Sequence, residues 1–561
     1  MTTLLYGCLT VLCLNCFSLS SLPLQSAAAL FVCGVSSAEE LDSGTVERLD
    51  RLSRHPLSLN YAGESALRAS GLFTGYQIAS LLEYRRQSGD ILSFSELGRL
   101  DGWSREFAEA LREFVSLDSR VAPGKSSSRK QFQGDLNLRY ASNGYLGKLD
   151  IESERRWEIF VSSKTGNPLN LSACLYGRKR LGKIIAGAFN ARFGQGLVQW
   201  SGMTTSGFGT VDALCRRASG LAVSTSTAEQ SNGLAADFSF GRWTVSAAGR
   251  LKTGKVNGSV ELDGLFNLSR LGPKSQWGIT ASFQPSSSFA SADFRGRVGG
   301  ADVFGEMAWD FRDSAPAALL GVRADPAYQL CWSVVARYYS PKYNCPDAAG
   351  PRASSKTSDE TGICAAFRDK WFQSSLDAVY FQGKSMMQGK FLLSAGPQFS
   401  LGPLTLKPQL RLALTGKALW QEKALKPDSH RCDFRVELDS EYGKWKCNAR
   451  WNGLWAKGFG NLGYLEVAYV NEFLTLWLRG GIFLIDNWDD RIYVYERDVN
   501  GSFNVPAYYG RGWNASFYGN FKLKSGRMKH NLGLRAAVVS YSREKAKAAK
   551  TEWRLQYSFS W

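Results

Sequence analysis

The last nine residues constrain the fold most. Trp553, Leu555, Tyr557, Phe559 and Trp561 fall on one side of an extended chain, and Arg554, Gln556, Ser558 and Ser560 on the other. Side chains of a strand alternate with period two, so this segment has one wholly apolar face and one polar face. The pattern recurs: Phe132, Leu136, Leu138 and Tyr140 interleave with Gln133, Asp135, Asn137 and Arg139, and Trp513, Ala515, Phe517, Phe521 and Leu523 with Asn514, Ser516, Tyr518, Asn520, Lys522 and Lys524. Leu410, Leu412 and Leu414 flank Arg411, and Phe434, Val436 and Leu438 flank Arg435 and Glu437. Strands with lipid on one face and a polar lumen on the other need this pattern. Closing them into a barrel satisfies every backbone N–H and C=O and leaves no edge in lipid. The expected fold is mainly β, a large C-terminal antiparallel transmembrane β-barrel over residues 131–561. At roughly 20 residues per strand and connection, that length implies about 18–24 strands.

Composition agrees. The 561 residues are 44% hydrophobic, and beyond the N-terminus no apolar run is long enough for a spanning helix. Aromatic residues make up 13% and Gly numbers 56, which suits interfacial aromatics and many tight turns. The net charge is +18, and its location matters: residues 1–55 and 56–117 each carry −2, so residues 118–561 carry +22. That surplus would attract anionic solutes, nucleic acid or lipid phosphate, or simply form a solvated surface.

Residues 4–35 are small and apolar, with no Lys or Arg before Arg48. Residues 1–38 read as an export signal, with cleavage expected after Ala28 or Ala38. Of 11 Cys, four lie there. The remaining seven (Cys174, Cys215, Cys331, Cys345, Cys364, Cys432 and Cys447) show no CxxC or metal-like spacing, and most sit in strand-like runs as small apolar residues.

Residues 55–117 are patterned as helices and contain an internal repeat. Glu64–Ala69, then Ser70-Gly71-Leu72-Phe73-Thr74, then Tyr76–Arg85 is matched by Ser95–Leu100, Asp101-Gly102-Trp103-Ser104 and Phe107–Arg112. Thr74 with Gln77, and Ser93 with Glu96, have capping-box spacing, and Ser104 suits an N-cap. This order resembles the tandem helix-hairpin-helix module of competence-type (ComEA-like) DNA-binding proteins, over about 60 residues. The resemblance implies a small all-α domain whose hairpin glycines let the backbone approach a DNA phosphate. On that basis the DNA contacts would be Gly71, Leu72, Phe73, Thr74, Arg85, Arg86, Gly102, Trp103, Ser104 and Arg105. Here Phe73 and Ser104 replace the second glycine of each hairpin, and the module is acidic where DNA binders are basic. The same fold also suits protein contact or packing at a barrel mouth. Residues 118–130, rich in Ser with one Pro-Gly, read as a linker.

The terminal aromatic strand resembles the sequence that outer-membrane assembly machinery recognises, which makes that machinery, through Trp561, and outer-membrane lipid the expected partners. Two further segments, Arg192–Trp200 and Arg491–Gly512, resemble patterns in Bacteroidota proteins that join such a helical module to a barrel. Gly194-Gln195-Gly196 reads as a tight turn rather than a phosphate loop, because no amphipathic helix follows it. Residues 201–232, 340–360, 420–431 and 486–511 are loop candidates. Arg139, Arg411, Arg435, Lys522, Lys524, Arg535 and Arg554 fall on the polar face and would line a lumen favouring anions, with Asp135 and Glu437 as neutralising candidates.

The three His (His55, His430, His530) belong to no motif, and there is no GxSxG, HExxH or Walker A pattern, so no catalytic residue, metal or cofactor is expected. The leading reading is a non-enzymatic outer-membrane channel for anionic solutes with the helical module in the periplasm. A second is a DNA-binding or uptake component that uses the module, and the module's partner would then be DNA rather than a periplasmic protein. A third is a soluble secreted all-β adhesin-like protein.

Overall fold

The computed structural model describes residues 27–33, 41, 43–119, 132–153, 156–177, 180–202, 211–224, 231–253, 260–272, 274–324, 330–419, 426–526, 528–542 and 549–561. From Gln133 onward the chain forms one closed antiparallel barrel. Twenty-four strands run from rim to rim, at the top of the expected range; two short strands, Gly220–Val223 and Phe399–Leu401, pair with the wall without interrupting it, because the strands flanking each also pair directly. The first strand, Gln133–Ala141, pairs with the last, Lys550–Ser560, in the register Asp135↔Ser560 to Ala141↔Arg554. The Trp561 N–H donates to the Gly134 carbonyl at 3.1 Å, and the Gly134 N–H to the Trp561 carbonyl at 3.3 Å.

The wall is apolar outside and largely polar inside. Leu138, Leu234, Leu262, Met307, Leu478 and Ile482 are exposed on its outer face, while Arg250, Arg323, Arg337, Arg479 and Arg535 are buried within. The outer aromatics gather at both rims: Trp243, Trp371, Tyr442 and Trp445 at the rim where the wall begins and ends, and Tyr140, Trp309, Trp455 and Trp513 at the other. Such a distribution is stable only with apolar surroundings, since each fully exposed large aliphatic side chain forgoes about 1.5–3 kcal/mol in water. No helix among the described residues is long and apolar enough to cross a membrane.

Connections are unequal. The three long ones, 193–230, 340–359 and 486–509, all leave the rim opposite the barrel's termini. Of the expected loops, 420–431 is corrected: the strand Lys426–Tyr442 claims 426–431, because Arg431 pairs with Ala413 in register with the rest of that ladder. Residues 120–130 of the expected linker and most of the expected signal lie outside the described residues.

The helical module comprises α1 (Ala27–Cys33), α2 (Ser43–Arg54), α3 (Glu64–Ala69), α4 (Gly75–Ser88), α5 (Phe94–Leu97) and α6 (Arg105–Ala110). A two-residue parallel bridge, Leu57–Ser58 with Val115–Ser116, ties its two ends together. Thr74 and Gln77 form a full capping box at α4. Ser93 caps α5 by accepting from the Glu96 N–H at 3.1 Å, but the Glu96 carboxylate turns to the Leu92 N–H at 2.8 Å, so that expected box is only half made. Gly71 and Gly102 take φ +65° and +80°, as the two hairpin turns require. Phe73 packs inward on Trp103, ring centroids 5.3 Å apart, so the residue replacing a hairpin glycine serves the module's core. From α1, which lies within the expected signal, Ala29 and Val32 are buried in that core.

Gly187 has φ +98°, and a Cβ there would sit 2.0 Å from the Leu171 carbonyl oxygen of the neighbouring strand; at Gly389 a Cβ meets nothing within 4 Å. Gly187→Val is therefore expected to abolish the compact, heat-modifiable barrel band on SDS gels, by the strain of the backbone (on the order of 1–3 kcal/mol) and a backbone collision. Gly389→Ala is expected to leave that band unchanged.

Candidate functional site

The lumen is occupied from both ends. At the rim carrying the termini, the module docks against the inner wall. Arg51 of α2 lies among three wall carboxylates: Asp150 at 3.0 Å, Glu152 at 3.3 Å and Glu158 at 2.6 Å. Burial opposes the charge on Arg51, but these carboxylates outweigh it and hold the guanidinium above its ordinary pKa range. Arg54 and His55 both meet Asp135, at 2.8 and 2.6 Å, and Glu47 pairs with Lys148. On the other side of the module, Arg297 lies over the Tyr76 ring at 4.5 Å.

From the opposite rim, two of the long connections fold inward. In the first, Glu306 accepts the Gln195 N–H at 2.6 Å and the Leu197 N–H at 3.2 Å. The turn Gly194-Gln195-Gly196 thus presents its backbone donors to an acidic side chain of the barrel's own wall. Leu197, Val198, Leu214 and Cys215 then pack on Phe289, Phe304 and Val335 of the inner wall. In the second, Glu496 pairs with Arg535 at 2.5 Å and Asp498 with Arg554, while the Asn500 carbonyl accepts from Arg139 at 3.1 Å and Gln556 at 2.8 Å. Both inward folds reach the module: Arg217 donates to the Leu72 carbonyl at 2.8 Å, and Phe503 packs on Leu41 and Val46.

The filling is one-sided. Among the described residues none between Gln382 and Cys447 is buried, although these include the strands Met386–Ala395, Leu404–Leu419 and Lys426–Tyr442. Elsewhere the inner face carries buried side chains, as where Arg337 forks onto Asp377 at 2.8 and 3.1 Å and also donates to Glu360 at 2.8 Å. Cross-strand partners share a face, and the register places Lys390, Lys407, Arg411, Lys417, Arg431 and Arg435 together on the inner side of this sector, with Asp433, Glu437 and Asp439. Lys407 pairs with Asp439 at 2.6 Å and Arg431 with Asp433 at 2.9 Å, while Glu437 accepts from Asn448 at 2.8 Å. Six cations thus face four carboxylates along this lane, since Glu441 continues the same alternation two residues after Asp439.

The sequence candidates divide accordingly. Of the seven basic lumen residues, Arg411 and Arg435 line the lane. Arg139, Arg535 and Arg554 hold the inward fold of 486–509 instead, and Lys522 and Lys524 lie at the rim carrying the termini. Sequence pattern alone also points to four further cations: alternation along Arg411's own strand reaches Lys407 and Lys417, and carried to the strands on either side it reaches Lys390 and Arg431. Of the DNA-contact candidates, Leu72, Phe73 and Thr74 are buried, the first hairpin facing Arg217 and Arg295, while Gly71 lies against Arg48. Protein thus covers the first hairpin. In the second hairpin Gly102 abuts the Tyr76 ring, Trp103 is buried and the Ser104 hydroxyl caps α6; Arg85 donates to the Ala62 carbonyl at 2.6 Å, Arg86 pairs with Glu83, and Arg105 is exposed.

Among the described residues no group of His, Cys, Asp and Glu could hold a metal, and the cysteines are all free thiols. The three histidines lie apart. His55 meets Asp135, and Ser560 donates to the same carboxylate at 2.5 Å, so the acid separates the imidazole from the hydroxyl and the order differs from a nucleophile–base relay.

No family model matches the chain, and no curated protein matches it. Solved barrels are similar to it. Pseudomonas aeruginosa OccK5 (OpdH) is 10% identical, covering 76% of this chain and 96% of its own, with a TM-score of 0.27. A BenF-like porin from Pseudomonas fluorescens Pf-5 is 11% identical, covering 77% and 98%, with a TM-score of 0.27. The E. coli P pilus tip assembly intermediate PapC-PapD-PapK-PapG is 10% identical, covering 80% and 63%, with a TM-score of 0.40.

Arg51→Glu sets a fourth carboxylate among Asp150, Glu152 and Glu158. It is expected to release the module from the wall and to raise single-channel conductance in planar bilayers, whereas the exposed substitution Arg112→Glu leaves conductance unchanged.

Proposed function

We propose that the chain is an outer-membrane passage for anionic solutes, with the helical module seated in the lumen at the periplasmic rim. The observation that carries this reading is the sector without buried side chains in which six cations face four carboxylates. Rings of Arg and Lys select anions by the field they set up at close quarters, and a low-dielectric wall focuses that field. The surrounding architecture supports the address. The apolar outer face and two aromatic rims suit a bilayer, and three long connections at one rim against short turns at the other suit a barrel whose long loops face outward. The C-terminal strand ending at Trp561 then closes the seam that assembly machinery would deliver. The module acts here as filling and as a contact surface towards the periplasm. DNA capture is the weaker reading, because the wall covers the first hairpin.

The test is the reversal potential of the purified barrel in a planar bilayer under a KCl gradient. Wild type is expected to prefer chloride. The triple variant Lys390→Glu, Arg411→Glu, Arg435→Glu turns the lane from net positive to net negative and is expected to prefer potassium. A cation-preferring or non-conducting wild type would overturn the reading.

A further inference from the structure

We propose that the outer rim carries a binding site for the phosphorylated sugar headgroup of an anionic membrane lipid; this rests on the outer-membrane reading above. Between the turn Phe311–Ser314 and the connection 340–359 lies a recess of 730 Å³, lined by Arg312, Lys342 and Lys356 together with Asp313, Asn344 and Ser358. The three cations are exposed, and no carboxylate among the described residues forms an ion pair with any of them. That sets them apart from the cations of the lumen, most of which are engaged by acids or by carbonyls of the inward folds. The three cations outnumber the single carboxylate of the recess, Asp313, and a bound anion offsets the excess.

The frame around them is fixed. The Arg312 guanidinium donates to the Ser286 carbonyl at 3.3 Å. The connection 340–359 is pinned by Tyr343 donating to the Leu197 carbonyl at 2.6 Å, Tyr339 to the Pro351 carbonyl at 2.7 Å, and the Ser354 N–H to Glu360 at 2.7 Å. The backbone that carries the cations is thus held before any ligand arrives, which lowers the ordering cost of binding. The recess exceeds what one phosphate would fill and has room for an attached sugar, to which Asn344 offers a neutral partner.

Its place in the barrel selects a lipid. Phe311 directly precedes Arg312, and Trp309 lies two residues earlier, both exposed on the outer aromatic rim. Aromatic side chains at such rims sit at headgroup level, so the cations immediately beyond them stand where lipid phosphates lie, each basic residue near such a surface adding to the attraction.

The experiment uses the full chain in detergent, mixed with micelles of a diphosphorylated glucosamine-disaccharide lipid or of its dephosphorylated counterpart, and reads retained lipid by native mass spectrometry. Wild type is expected to retain the phosphorylated lipid alone. Arg312→Ala, Lys342→Ala, Lys356→Ala is expected to retain at least about tenfold less, with unaltered heat-modifiable mobility; Lys342→Glu alone, at an exposed side chain, gives an independent reading in the same direction. Undiminished retention by both variants, or equal retention of the dephosphorylated lipid, overturns the site. Full competition by soluble glucosamine phosphate at matched concentration overturns the lipid as its ligand. Membrane fractionation run alongside separates the two readings: a chain absent from the outer membrane fails the earlier one, and an outer-membrane chain that retains no lipid fails only this one.

Discussion

Everything in this molecule depends on the seam between the strand Gln133–Ala141 and the strand Lys550–Ser560. A wall whose outer face is apolar cannot leave a row of N–H and C=O groups unpaired, because hydrocarbon offers them no partner and each would cost several kcal/mol. The seam removes both edges at once by joining segments more than 400 residues apart. With that join made, the inner face becomes an interior in which arginines and carboxylates face one another rather than bulk water.

The interior is then divided between filling and space. Where the wall meets the module and the inward folds, charges are consumed in pairs: Arg51 by three acids, Arg535 by Glu496, Arg479 by Glu466 at 2.6 Å. Removing one partner of such a buried pair typically costs about 3–5 kcal/mol, so these contacts fix geometry more than they supply stability. In the sector between Gln382 and Cys447 no described residue is buried, and on its inner face cations outnumber carboxylates.

Sequence patterning reveals the barrel where the two faces differ, as in Leu410–Leu414 and Trp553–Trp561. It is silent where both faces are apolar. In Ala315–Ala324 the inner positions Ala315, Ala317 and Leu319 pack against an inward fold, so alternation of polarity disappears although the strand remains. Alternation puts Arg139, Arg535 and Arg554 on the polar face, but their partners Asn500, Glu496 and Asp498 come from a connection distant in sequence. Local pattern assigns a residue to a face; it does not say what else will arrive there. The latch at Arg51 was invisible for the same reason, since its carboxylates are about a hundred positions away.

Asp135 lies at the seam and takes two kinds of partner. One oxygen accepts from Ser560 on the closing strand, and the other meets Arg54 and His55 of the module. The carboxylate therefore acquires its full set of neighbours only after the final strand has been laid beside the first. One carboxylate of the first strand thus holds the closing strand with one oxygen and the module with the other, so the join of the cylinder and the berth of its filling share a single anchor.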